Sequence, residues 1–172
     1  MDIISLGIGG PDRPPHKDVV NRLCEMANRS DTHGYQPYVG LPSLRSAYAD
    51  WYRRWYGVTL DATKEIQPLI GSKEGILHIT LTFVNPGDAV LVPNPGYPTY
   101  TSVSKLAEAE IITYDLTEDN GWQPDFEALE KMNLEKVKVM WVNYPNMPTG
   151  APASMELFKK IIAFGKKHNI VI

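Results

Sequence analysis

The chain has 172 residues, of which 43% are apolar and 22% are charged, and its formal net charge is −3. This composition is typical of a globular protein, and the length allows one domain with its own core. The mildly acidic balance provides no broad basic surface, so nucleic acid is not an expected partner. Cys24 is the single cysteine, which excludes an intrachain disulfide and is consistent with a reducing compartment.

The amino-terminal segment and the longest apolar runs predict a cytoplasmic location. Asp2 stands where a secretory signal carries positive charge, and glycines interrupt the apolar residues that follow it. The run 76–84 contains polar residues and is far shorter than the roughly 20 residues of a membrane span. We therefore expect a soluble protein without membrane contact.

Apolar periodicity predicts alternating helices and strands. Helical spacing indicates helices near 18–28 and 43–56, with Gly57 placed to end the second. The predicted strands are 66–70, 89–92, 111–114, 137–142 and 170–172, and further helices are predicted near 74–84, 97–107, 124–132 and 154–168. This alternation predicts an α/β fold in three αβα layers, with a mainly parallel sheet covered on both faces. Ligands bind at the carboxyl ends of such strands, which makes 71–75, 93–98 and 143–150 the candidate site loops.

The loop 71–75, Gly-Ser-Lys-Glu-Gly, precedes a predicted helix. Free backbone N–H groups and the helix dipole attract anions at such a position. A plain helix cap with Ser72 as N-cap is the alternative, although glycine occupies position 75, where a capping-box partner would stand. Lys73 in the first turn is unfavourable by roughly 0.3–1 kcal/mol unless an anion neutralises it. A phosphate site and a plain cap both stay open, and neither a Walker loop nor a GxGxxG motif is present.

The remaining loops each allow a binding role and a structural one. Three prolines stiffen 93–98 and orient Tyr97, which suits stacking on a flat ring but also an ordinary turn. The polar groups of 143–150 suit a ligand's polar edge or a turn-rich strand exit. The loop 34–40 suits ligand binding or an interface. The aromatic stripe 51–56 suits packing on the core or on a partner chain rather than on nucleic acid, because little else is basic.

Five motifs together resemble the class I and II aminotransferases of the fold-type I pyridoxal-phosphate family. They are LGIGGPD, YQPYVGLPSLR, GSKEGI, VNPGDAVLVPNPGYPTY and NYPNMPTG, in the family's order along nearly the whole chain. GSKEGI and PNPGYPTY most resemble the branch of LL-diaminopimelate and alanine/aspartate-type aminotransferases. The resemblance implies the partial large domain of that fold and pyridoxal 5'-phosphate as cofactor. It also implies amino-group transfer between an amino acid and a 2-oxo acid, and a homodimer.

The resemblance implies roles for individual residues. Gly9 corresponds to the glycine whose backbone meets the substrate carboxylate. Tyr35 corresponds to the tyrosine that reaches the cofactor phosphate of the neighbouring subunit. Ser72 and Lys73 correspond to the phosphate-binding pair, and Tyr97 to the aromatic residue stacked on the pyridine ring.

The fifth motif departs from the family pattern. Asn146 and Met147 lie in its N-x-P-T-G region, and Met147 stands where the family usually has an asparagine that donates to the cofactor's ring hydroxyl. Methionine has no donor, so an altered cofactor environment and a non-standard activity are both open.

We expect the chain to be a single-domain fragment, residues 1–172, of a longer protein, called here the parent protein. The family's aspartate that pairs with the pyridine nitrogen, its Schiff-base lysine and its carboxylate-binding arginine are expected beyond Ile172. We therefore predict no catalytic residue within this chain, no metal site, and no activity of the chain alone. The alternatives are a C–S lyase or decarboxylase on the same fold, or an aminotransferase-like regulatory module.

Overall fold

The computed structural model describes residues 9–172 and divides the chain into two compact units, which meet between Pro68 and Leu69 in the sequence. Among the described residues, no helix is long and apolar enough to cross a membrane.

The first unit contains two helices, α1 (Lys17–Ala27) and α2 (Pro42–Tyr56). Proline is well placed at the start of α2, because the first helical N–H has no partner inside the helix. Gly57 ends α2 with a φ of 66°, and its N–H donates to the Arg53 carbonyl oxygen at 3.2 Å. The predicted stop at Gly57 is therefore confirmed.

The aromatic stripe lies on α2 and stays exposed. Trp51 meets Tyr52 and Tyr56 edge-on, with ring centroids 5.5 and 5.2 Å apart, and the Arg54 guanidinium lies 5.4 Å from the Trp55 ring centroid. These four aromatic residues are 40–63% exposed. They are not buried among residues 9–172, and packing on a partner chain stays a prediction.

The second unit is an α/β unit. Its elements are α3 (Ser72–Phe83), β1 (Ala89–Asn94), α4 (Pro98–Leu106), β2 (Glu110–Asp115), α5 (Phe126–Leu129), β3 (Val137–Met140) and α6 (Met155–His168). The strands form a parallel sheet in the order β2-β1-β3, and Val171 adds a parallel bridge beside Val139. The predicted α/β class and parallel sheet are confirmed, as is the strand contact predicted at 170–172.

Both faces of the sheet are buried, because side chains alternate along β1. The face under α3 and α4 carries Val90, Val92 and Val139 with Ile76, Tyr100 and Val103. The face under α5 and α6 carries Leu91 and Met140 with Leu129 and Phe164. The unit therefore has the predicted three αβα layers.

Two predicted elements differ from the structure. The strand predicted at 66–70 is wrong, since these residues form no strand. Pro68 has no amide hydrogen for a strand ladder, and the Ile70 N–H donates to the Glu74 side chain instead. The helix predicted near 124–132 is only the single turn α5, whose N-terminus is capped by the Asp125 carboxylate.

An ion pair joins the end of α5 to α6 and gives a pH-dependent prediction. Glu130 accepts hydrogen bonds from Lys167 at 2.6 Å and from His168 at 3.1 Å, and both hold the pKa of its carboxyl below the ordinary value. A carboxylate whose pKa falls on folding stabilises the protein above its unfolded pKa, and this stabilisation is lost as pH falls through the folded pKa. We expect Glu130→Gln to lower the urea midpoint of the parent protein near neutral pH, by an amount that shrinks in acid. The exposed Glu118, changed to glutamine, is the control; a pH-independent difference would contradict the prediction.

Candidate cofactor site

The carboxyl edge of the sheet gathers the ends of β1 and β3 and the start of α3. Ile76 near the start of α3 and Val84 just after its end both pack in the cluster on one sheet face, so the helix lies along that face. A short turn then leads from Phe83 to Ala89 at the beginning of β1. The 12 residues of α3 and the 6 residues of β1 each span about 18–20 Å. The N-terminus of α3 therefore lies at the edge where β1 ends.

The N-terminus of α3 has no side-chain cap. Gly71 is the N-cap residue, with a φ of 102° that side-chain-bearing residues rarely adopt. Ser72 is the first helical residue, so the alternative in which Ser72 is the N-cap is wrong. Ser72 and Lys73 are both exposed in the first turn. Unsatisfied N–H groups beside a lysine ammonium suit a phosphate.

Glu74 is a structural residue of this loop that the sequence analysis missed. Its Oε2 accepts the Ile70 N–H at 2.5 Å, and its Oε1 lies 3.6 Å from Nε2 of His78. With Gly71 as N-cap, Glu74 is the third helical residue, the position from which an acidic side chain reaches back in a capping box. The spacing from Gly71 would have identified it. Glu74 thus fixes the chain entering α3 and leaves the first-turn N–H groups free for a ligand.

The Glu74 bond gives a second prediction. Glu74→Ala removes the acceptor for Ile70 N–H and should destabilise the parent protein by about 0.5–1.5 kcal/mol in urea unfolding. Glu74→Gln keeps an amide oxygen at the same reach and should retain most of that stability. If both variants lost the same stability, the carboxylate charge rather than the hydrogen bond would be responsible.

Tyr97 occupies the loop that follows β1. A Cβ atom added at Gly96 would collide with the backbone carbonyl oxygen of Pro93, so this turn requires glycine. Tyr97 is the N-cap residue of α4, immediately before Pro98. Its partly buried ring meets Tyr100 edge-on, with centroids 5.8 Å apart and an interplanar angle of 83°. The loop and the helix start together place Tyr97 at the carboxyl edge.

Asn146 organises the loop that follows β3. It is 3% exposed, and its Oδ1 accepts the Thr149 hydroxyl at 2.8 Å. Its backbone N–H donates to the Ala151 carbonyl oxygen at 2.8 Å, and its own carbonyl oxygen accepts the Gly150 N–H at 2.6 Å. Both oxygens of Asn146 therefore accept hydrogen bonds within the turn. The side-chain Nδ2 atom is the group of Asn146 left to donate to a ligand.

Met147 presents its side chain outward from this turn. It is 42% exposed, and its backbone N–H donates to Oδ1 of Asn143 at 2.8 Å. The position where the family usually has an asparagine is thus accessible, and the neighbouring Asn143 amide is already turned toward it.

Gly9 and Tyr35 belong to the first unit. Both are exposed, and a Cβ atom added at Gly9 would meet no atom within 4 Å. Asp2 and residues 6–8, the start of the first motif, lie outside the described residues. The substrate and cofactor roles of Gly9 and Tyr35 stay predictions.

An open cavity of about 510 Å³ lies elsewhere, beside α5 and α6. Its lining includes Asp125, Glu130, Lys160, Phe164 and Lys167. None of the predicted site residues lines it, so the candidate site is a set of loops at the sheet edge rather than this cavity.

The second unit therefore brings Ser72, Lys73, Tyr97, Asn146 and Met147 to one edge of a parallel sheet. An uncapped helix N-terminus with a lysine and a tyrosine at the same sheet edge would suit a phosphorylated, planar ligand.

Comparisons with known proteins identify the family of the chain. All of residues 1–172 match the family described as aminotransferase class I and II, and the chain belongs to that family. An LL-diaminopimelate aminotransferase of Dehalococcoides mccartyi is 46% identical over 171 residues, which are 99% of this chain and 44% of the relative. Another from Aquifex aeolicus is 42% identical over 100% of this chain and 44% of its own length. The chain thus spans less than half the length of the curated relatives that it matches.

Solved structures are similar to nearly all of this chain over less than half of their own length. Apo-BacF from Bacillus subtilis has a TM-score of 0.94 and 45% identity, covering 99% of this chain and 43% of its own. An aromatic aminotransferase from Pyrococcus horikoshii has a TM-score of 0.92 at 29% identity, covering 99% and 45%. The family resemblance and the partial large-domain fold are confirmed. The family is one of enzymes that depend on pyridoxal phosphate and act on amino acids and 2-oxo acids.

Proposed function

We propose that the parent protein is a pyridoxal-phosphate-dependent aminotransferase that moves an amino group between an amino acid and a 2-oxo acid. The observation that supports it best is the start of α3, where Ser72, Lys73 and free backbone N–H groups lie exposed without a side-chain cap. Family membership over residues 1–172 supports the same activity.

The residues of the second unit fit the cofactor's phosphate and ring. Bound pyridoxal phosphate supplies the aldehyde that takes up the amino group and the ring that accepts the electron pair. The Ser72 hydroxyl and the first-turn N–H groups bind the phosphate, and Lys73 neutralises its charge. Tyr97 covers one face of the ring, excludes water there and limits its tilt. Because Lys73 would bind at the phosphate end, it is not proposed as the covalent lysine.

The remaining site residues have proposed roles that depend on parts outside the second unit. The Gly9 backbone receives the substrate carboxylate, and Tyr35 reaches the cofactor phosphate of a neighbouring subunit. The parent protein is accordingly proposed to be a homodimer in the cytoplasm. The exposed aromatic stripe on α2 supports an interface. Asn146 would shape the loop beside the cofactor, and Met147 would stand near the ring oxygen without a donor for it.

LL-diaminopimelate is the first candidate amino donor. The support is the identity of 46% to an LL-diaminopimelate aminotransferase over nearly the whole chain. BacF is almost as similar, at 45% identity. The same experiment therefore tests other amino acids beside LL-diaminopimelate.

The test combines the parent protein, pyridoxal phosphate and a panel of amino acids that includes LL-diaminopimelate. We expect a visible absorption change on cofactor binding, then stoichiometric formation of a 2-oxo acid and pyridoxamine phosphate. Release of ammonia or carbon dioxide instead would favour the lyase or decarboxylase alternatives. Absence of any spectral change would refute the proposal. Sedimentation as a fully active monomer would refute the homodimer.

A further inference from the structure

A row of three aromatic rings runs from the sheet to Tyr97. Trp141, the residue after β3, stacks on Tyr100 with centroids 5.0 Å apart and an interplanar angle of 6°. Tyr100 is buried and in turn meets the Tyr97 ring edge-on at 5.8 Å. This aromatic row, Trp141–Tyr100–Tyr97, connects the end of β3 to the ring at the start of α4. It lies on the sheet face covered by α3 and α4.

The far end of the aromatic row is held by the other two strands of the sheet. The Trp141 N–H donates to the Leu91 carbonyl oxygen of β1 at 3.0 Å. The Trp141 carbonyl oxygen accepts the hydroxyl of Tyr114, from β2, at 2.6 Å. Tyr114 is buried, and burial raises the pKa of its hydroxyl above the ordinary value, so it stays a donor. The backbone of Trp141 is thus held by β1 and β2, which fixes the point from which its indole extends.

The indole of Trp141 carries a polar group that its surroundings do not use. Its Nε1 atom is buried and has no hydrogen-bond partner within residues 9–172. A buried donor without an acceptor is unfavourable, and leucine or phenylalanine at this place would avoid it. What the indole supplies here is a broad flat surface for the Tyr100 ring.

Tyr97 needs such a support. Its backbone is set by the N-cap position of α4, but its ring is only partly buried. An edge-to-face partner selects one ring orientation over others by about 2- to 10-fold. Tyr100 provides that contact only while its own ring is held, and Trp141 covers its face.

We propose that Trp141 and Tyr100 are positioning residues that set the orientation of the Tyr97 ring for stacking on the cofactor. This rests on the proposed function, because it takes Tyr97 as the stacking residue. Neither ring needs to touch the cofactor itself.

The experiment is a double-mutant cycle in the parent protein. Trp141→Leu removes the flat surface, Trp141→Phe keeps an aromatic ring, and each is made in the wild type and in Tyr97→Leu. The cofactor dissociation constant and the visible circular dichroism of bound cofactor are measured for all. Trp122→Leu is the matched control, since Trp122 is a partly buried tryptophan on the opposite sheet face.

We expect Trp141→Leu to weaken cofactor binding about 3- to 10-fold and to reduce the dichroism in the wild type, but to change neither in Tyr97→Leu. Trp141→Phe should retain most of both signals, and Trp122→Leu should match the wild type. Equal losses with and without the Tyr97 ring would overturn the proposal, as would unchanged signals in Trp141→Leu.

A second measurement works without cofactor. A 3-fluorotyrosine at position 97 in the apo parent protein should show a displaced fluorine resonance in Trp141→Leu and little displacement in Trp122→Leu. An identical resonance in all three proteins would overturn the positioning role. If the wild type does not bind pyridoxal phosphate at all, the proposed function fails, while the fluorine measurement still decides whether Trp141 orients Tyr97.

Discussion

Replacing Lys73 by alanine should weaken pyridoxal-phosphate binding to the parent protein by about 10- to 100-fold. Lys73 is exposed in the first turn of α3, where its ammonium and the helix N–H groups face the same anion. A hydrogen bond to a charged group is worth about 1.5–3 kcal/mol, and each 1.4 kcal/mol is tenfold in affinity. Lys73→Arg keeps the charge and should lose much less.

The same substitution should increase the stability of the apo protein. A cation in the first helical turn opposes the helix dipole, so Lys73→Ala should stabilise the cofactor-free protein by about 0.3–1 kcal/mol. Titration of apo protein with pyridoxal phosphate and urea unfolding measure the two effects. Lys105→Ala is the control, because Lys105 lies in the last turn of α4, where a cation is favourable. If the Lys73 and Lys105 variants lost the same affinity for pyridoxal phosphate, the proposal that Lys73 binds its phosphate would be wrong.

The sheet could be predicted from sequence because its strands β1 and β3 are largely buried. The runs at 89–92 and 137–142 are almost continuously apolar and are bounded by turn residues, which is typical of central parallel strands. The run at 66–70 also carries three apolar residues, Ile66, Leu69 and Ile70, but it forms no strand. Apolar character alone does not distinguish a paired segment from one that carries Pro68 and whose Ile70 N–H is taken by Glu74.

The candidate site was predictable where loop chemistry is local. Ser72, Lys73 and Tyr97 follow from motif position and from the physics of a helix N-terminus. Glu74 was missed because the N-cap was assigned one residue late, which moved the capping-box position from 74 to 75. Trp141 was missed because an aromatic residue at a strand end is indistinguishable in sequence from core packing. Only the ring geometry connects it to Tyr97.

Replacing Met147 by asparagine should change the titration of the bound cofactor. Met147 is 42% exposed at the position where the family usually has the donor to the cofactor's ring oxygen. A hydrogen-bond donor to the charged ring oxygen favours its deprotonated form. It therefore lowers the pKa of the proton that the ring oxygen shares within the bound cofactor. We expect the midpoint of the visible-absorption titration in Met147→Asn to fall by about one to two pH units. Met147→Leu has similar volume and no donor, and should titrate like the wild type.

The neighbouring Asn143 defines the outcome that would contradict this. Its Oδ1 accepts the Met147 N–H at 2.8 Å, which places its amide beside the same turn. If the Nδ2 of Asn143 already donates to the ring oxygen, Met147→Asn leaves the midpoint unchanged, and Asn143→Ala raises it. If Met147 instead leaves the oxygen without a donor, Met147→Asn lowers the midpoint, and Asn143→Ala changes it little. The two variants, titrated together, therefore decide which side chain sets the basicity of the cofactor oxygen.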